Sequence, residues 1–152
     1  MSIDLGLIKK LRDQTGAGVA DCRQALEEAN GDLTKATQLL RRRGIDKADK
    51  KKDRVAKEGL VLSYIHSGGR VGVLLEVSCE TDFVARTEDF KQLAHELSMQ
   101  VAAMDPATVE DLLAEPYIRD SAQTVRDLVK EMIAKLGENI KVNRFARFEI
   151  GK

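Results

Sequence analysis

Apolar positions recur first at helical spacing, then at every second residue, then at helical spacing again, and alternate once more at the end. Ile3, Leu7, Ile8 and Leu11 mark a helix over 3–14, which the glycines of TGAG at 15–18 interrupt. Val19, Cys22, Ala25, Leu26 and Ala29 mark a second helix, stopped by NGD at 30–32. Asp32 is placed to cap a third, carrying Leu33, Ala36, Leu39 and Leu40 and ending near Gly44 behind Arg41, Arg42 and Arg43. Three short amphipathic helices with tight turns can share one small core, so residues 1–44 are expected to form a three-helix bundle.

Residues 45–58, IDKADKKKDRVAKE, hold few apolar positions and read as an exposed, charged linker with room for some helix. Beyond Gly59 the period drops to two. LVLSYIHSGGRVGVLLEVSCE, divided by SGG at 67–69, reads as a β-hairpin. Val71, Val73, Leu75, Val77 and Cys79 fall on one face. Phe90, Leu93, Ala94, Leu97, Val101 and Met104 predict a helix over 87–104, closed by Pro106. Thr108 is placed to cap a short turn before Pro116. Another helix is expected over 122–136, from Ser121 as cap to Gly137 as stop. IKVNRFARFEI then alternates as a last strand, with Val142 and Phe148 on one face and Phe145 on the other. Antiparallel strands with segregated helices make the second unit, 59–152, an α+β domain with a sheet of about three strands.

Charge changes this picture locally. The chain has 25 basic and 25 acidic residues, so net charge points to no partner class. Residues 41–57 nevertheless gather Arg41, Arg42, Arg43, Lys47, Lys50, Lys51, Lys52, Arg54 and Lys57 against Asp46, Asp49 and Asp53. No aromatic residue lies among them to stack on a base, which disfavours a single-strand RNA site. Cys22 and Cys79 stand alone, which suits reduced thiols in a cytoplasmic protein better than a disulfide framework. No apolar run approaches the ~18 residues of a membrane span. Catalytic signatures are missing too. There is no P-loop, and His66 and His95 have no metal-ligand spacing with the cysteines. Cys79 with His66 is the one nucleophile–base pairing to consider, without a supporting motif. The chain is expected to need no cofactor, metal or nucleic acid.

SCETDFVAR at 78–86 is the unusual stretch. It joins a buried-looking strand to a helix, a place where polar residues are expected, yet it carries Phe83 beside Asp82. Either Phe83 folds back into the core or it is presented to a partner.

Three blocks carry a family resemblance. IKKLRDQTGAGVADCRQALEEANGDLTKATQLLRRRG at 8–44 closely resembles the N-terminal module of the bacterial elongation factor Ts family, a bundle similar to ubiquitin-associated domains. RVGVLLEVSCETDFVAR at 70–86 resembles the family's central signature, and GENIKVNRFARFEIG at 137–151 the end of its core. The resemblance implies a guanine nucleotide exchange factor for elongation factor Tu, able to bind Tu both with GDP and without nucleotide. It implies a wedge near the magnesium and phosphates, carried here by Thr81, Asp82, Phe83 and Val84. It implies docking of the N-terminal module through Leu11, Arg12, Gly16, Ala17, Gly18, Val19 and Ala20. Val19 and Ala20 stand where the family often has two methionines. Asp82 has two possible jobs, holding groups of the partner or capping the next helix. Two other readings have different signatures: a plain adaptor that binds without exchange, and an RNA-binding module using 41–57.

Longer members hold two related α+β subdomains, whereas TDFVAR and GENIKVNRF are here bridged by about fifty residues. A single small sheet has two faces, and the helices 87–104 and 122–136 can cover one. The uncovered face, drawing on Val142, Phe145 and Phe148, leads to the expectation of a homodimer with sheets packed face to face.

Overall fold

The computed structural model describes residues 3–152. The first two residues of the expected bundle lie outside that range. α1 (Leu5–Thr15), α2 (Val19–Glu28) and α3 (Leu33–Asp49) form the bundle. The Asp4 side chain caps α1, and that of Asp32 caps α3 through the backbone N–H groups of Thr34 and Lys35. Ile8, Leu11, Cys22, Ala25, Leu26, Ala29, Ala36 and Leu40 make the core that the helical spacing predicts.

α3 does not stop at Gly44 but continues to Asp49, so the exposed linker begins later than expected. Packing supplies the reason. α3 lies along a later helix, α7 (Val125–Leu136), and a Cβ on Gly44 would sit 3.4 Å from the Ala134 Cβ. Ala48 is buried in the core of the second unit, and Lys130 reaches Asp49 at 2.8 Å. Arg41 pairs with Glu131 at 3.2 Å and Asp120 at 3.6 Å. The chain after α3 is also tied down, because the Asn139 side chain donates to the carbonyls of Lys52 and Arg54. The charged segment is therefore tethered to the domain at Ala48, Asp49, Lys52 and Arg54, while most of its residues remain exposed as expected.

β1 (Glu58–Ile65) and β2 (Val71–Cys79) form the expected hairpin, and β5 (Lys141–Glu149) joins β2, giving the antiparallel order β1-β2-β5. Gly59 is fixed by close approach: at φ 146° a Cβ would lie 2.1 Å from the Val77 carbonyl oxygen. A register shift at Glu76/Val77 corrects the facing of β5. Asn143 drops out of the pairing there, so Val142 turns to the covered face together with Phe145, and Phe148 is left on the open face.

α4 (Asp82–Ala85) and α5 (Glu88–Met104) follow β2. α5 packs on the sheet, setting Phe90, Leu93, Ala94, Leu97 and Val101 against Val73, Leu75, Val77 and Cys79. α6 (Val109–Ala114), capped by Thr108 as expected, leads into a small hairpin of β3 (Pro116–Tyr117) and β4 (Asp120–Thr124). Buried polar residues of α5 hold that hairpin. Gln100 accepts from the Ile118 N–H and donates to the Pro116 carbonyl, and Glu96 accepts from Tyr117 Oη at 2.7 Å. Residues 122–124 are consequently strand, and α7 starts later than expected. Thr124, not Ser121, is its cap, in a reciprocal capping box with Asp127. The whole is α+β, as the order of periods implies.

Candidate functional site

The strand–helix junction after β2 is built to expose one side chain. Thr81 caps α4, its Oγ1 accepting from the Val84 N–H at 3.3 Å. In one helical turn successive side chains point roughly 100° apart. Val84 and Ala85 are buried and anchor the turn, while Phe83 points outward and is 78% exposed. Of the two outcomes open at the sequence level, the fold excludes the one in which Phe83 packs into the core. Asp82 does not cap α5, because Thr87 does so by accepting from the Phe90 N–H. Asp82 instead pairs with Arg86 at 2.8 Å on the surface.

The turn is also held from outside. Glu138, just beyond the left-handed Gly137 that ends α7, accepts from the Thr81 N–H at 3.0 Å and from Thr81 Oγ1 at 2.8 Å. Asn139 N–H donates to Glu80 Oε1 at 2.8 Å. Sequence reasoning names neither Glu138 nor Asn139 individually, although both lie in the block 137–151 that carries the resemblance. Nothing in their spacing shows which residue they meet across the chain.

The bundle's first turn lies at the same end of α7. A Cβ on Gly16 would stand 3.1 Å from Lys135 Cε, and Lys135 Nζ reaches Asp89, in the first turn of α5, at 3.3 Å. One lysine thus bridges the TGAG turn and the segment after Phe83. Arg12, Gly16, Gly18, Val19 and Ala20 are exposed there, and Ala17 is half-buried. Leu11 is a correction: it is fully buried in the bundle core and can only support this surface from beneath. A cavity of about 300 Å³ opens between this turn, α3 and α7, lined among others by Thr15, Gly18, Arg41, Lys47 and Glu131. Burial raises the Glu131 carboxyl above its ordinary range, and the Arg41 charge opposes that rise.

Cys79 sits beneath the exposed turn and donates to the Thr81 carbonyl at 3.1 Å. Burial pushes its thiol up to about 11, which keeps it protonated and a poor nucleophile at neutral pH. The strand register sets Cys79 opposite Glu58 and Gly72 opposite Ile65, so Cys79 and His66 lie at opposite ends of the hairpin. His66 contacts Tyr64 Oη instead, at 3.0 Å. Among the described residues no group of three or more His, Cys, Asp or Glu gathers as a metal-ligand set. None of their helices is long and apolar enough to cross a membrane.

Fold and site together describe a helical bundle joined to an α+β domain that displays an aromatic side chain from an anchored turn. That class agrees with the comparisons. The family profile of elongation factor Ts matches residues 80–152. Elongation factor Ts of Thermotoga maritima is 46% identical over 195 aligned positions, covering all of this chain and 98% of that protein. Elongation factor Ts of Coprothermobacter proteolyticus is 43% identical over 197 positions, covering both chains completely. That of a Synechococcus strain is 45% identical, with all of this chain matched to 70% of its length. The chain belongs to the elongation factor Ts family. An alignment of 195 positions against 152 residues also means that the Thermotoga relative holds residues this chain lacks.

Proposed function

We propose that this chain is a cytoplasmic guanine nucleotide exchange factor for elongation factor Tu, acting in translation elongation. It binds Tu with GDP and Tu without nucleotide, and Phe83 is its wedge. The observation that carries the reading is the exposure of Phe83 on a turn whose next two residues are buried. A GDP–magnesium site depends on phosphate contacts and on a metal that demands near-ideal octahedral geometry. A side chain that packs between elements of the partner can spoil that geometry without touching GDP. Burying a phenylalanine supplies roughly 1.5–3 kcal/mol toward such a distortion. Thr81 and Val84 hold the wedge, and Asp82 with Arg86 lines its rim.

Coupling of this kind is reciprocal. A factor that weakens GDP binding is itself weakened by GDP in the same ratio, so the ternary complex resolves by loss of one or the other. No covalent step is required, and the protein is not an enzyme in the chemical sense. The bundle docks through Arg12 and the turn from Gly16 to Ala20, with Leu11 packed beneath, and the α+β domain acts on the nucleotide site. The open sheet face, with Phe148 73% exposed, supports a homodimer in which two such faces pack together.

The basic stretch supports this reading over RNA binding, because Arg41, Arg43, Lys47 and Arg54 already meet acidic partners of this chain. Release of fluorescent GDP from Tu tests the proposal. The factor accelerates release in proportion to its concentration until saturation. Tight binding with no acceleration identifies an adaptor instead, and an affinity for RNA that falls steeply with salt identifies a nucleic-acid module.

A further inference from the structure

α4 is a single turn of four residues, too short to be stable on its own backbone bonds. Burial of Val84 and Ala85 fixes its second half. Its first half, where Phe83 leaves the surface, depends on Thr81. Thr81 is gripped twice by one carboxylate, through its backbone N–H at 3.0 Å and its hydroxyl at 2.8 Å, both from Glu138. Fifty-seven positions separate the two residues, so the contact is made by the fold and not by the local chain. The base of the clamp is hydrogen-bonded to the rest of the fold. Asn139 is buried, its N–H reaches Glu80 at 2.8 Å, and its side chain holds the carbonyls of Lys52 and Arg54 at 3.2 and 2.8 Å. Two separate segments, 80–81 and 52–54, therefore converge on the residue pair that follows α7.

We propose that Glu138 is a positioning residue for nucleotide exchange: its carboxylate fixes Thr81, and through Thr81 the direction in which Phe83 is presented. This rests on the reading of Phe83 as the wedge. A wedge works only if it arrives in register with the partner's cleft. A displacement of about 1 Å in a positioned group can cost up to about a hundredfold in rate. The clamp removes that freedom before the partner is met.

The test is stimulated GDP release from Tu, with the maximal rate separated from the half-saturating factor concentration. Glu138→Ala lowers the maximal rate by roughly tenfold while the half-saturating concentration stays within about twofold. Glu138→Gln keeps a carbonyl for the Thr81 N–H and an amide that can bond the Thr81 hydroxyl, and it retains most of the rate. In a Phe83→Ala background, Glu138→Ala causes no further slowing, because its effect passes through Phe83. Thermal melting of each variant corrects the rates for folded fraction. The proposal is overturned by a normal maximal rate in Glu138→Ala, by Glu138→Gln as slow as Glu138→Ala, or by equal slowing with and without Phe83. If Phe83→Ala itself releases GDP normally, the wedge reading falls and the positioning role falls with it. If Phe83→Ala is slow and Glu138→Ala is not, only the positioning role is wrong.

Discussion

Phe83 and Val84 are chain neighbours with opposite surroundings, one 78% exposed and the other 6%. Both lie in one helical turn, and its cap and clamp decide which of the two faces water. Sequence patterning cannot settle this, because a strand–helix junction has neither the period of two nor the helical period long enough to assign a face. Val142 shows the same limit: one unpaired residue, Asn143, turns it to the covered face against the simple alternation. Gly59 is a residue where the backbone leaves no choice. With φ at 146° and a would-be Cβ 2.6 Å from Ser78 Cα, Gly59→Ala must open the start of the hairpin. It should lower unfolding stability by about 1–3 kcal/mol or more. A urea midpoint unchanged by Gly59→Ala would mean that β1 does not enter the sheet as described.

At the scale of elements, the bundle helices, the hairpin, α5 and the last strand were legible from spacing alone. Most of their apolar residues face one core in each unit, whereas Leu5, Val19, Val61, Ile65, Leu74, Met104 and Phe148 stay exposed. The junctions were less so. The start of α7 could have been found from Thr124 and Asp127, which have capping-box spacing. The length of α3 could not, since Gly44 and the charges around it resemble a stop until α7 is seen to need close approach. Gly44→Ala should be tolerated or add up to ~1 kcal/mol, because it gains helix propensity and its Cβ meets Ala134 at an ordinary contact distance. Gly44→Leu should cost about 1–3 kcal/mol by forcing α3 away from α7. Equal melting temperatures for the leucine variant and the unmodified protein would show that the two helices are not packed as tightly as this geometry requires.

The molecule as a whole has two cores joined along α3 and α7, and a sheet covered on one face. Val61, Ile65, Leu74, Phe148 and Ile150 remain exposed, all but Ile150 on the open sheet face. The expectation of a homodimer arose from the single sheet, and the bulge in β5 narrows its contact to Phe148 and these neighbours. Phe148→Asp should therefore shift sedimentation from a dimer toward a single 16.8 kDa chain, with little loss of melting temperature. A monomeric mass for the unmodified protein at micromolar concentration would exclude that assembly. What spacing could not supply at this scale is how the ends of α7, β2 and the bundle's first turn meet, since Lys135, Glu138 and Asn139 act across long stretches of chain. In the proposed function, exchange runs through the exposed Phe83. Its most direct test is the saturating rate of GDP release from Tu with Phe83→Ala, measured beside its melting curve. Release should slow by about tenfold or more while the melting temperature stays within a few degrees of the unmodified protein, as an exposed side chain requires. A large fall in melting temperature with a normal release rate per folded molecule would contradict it.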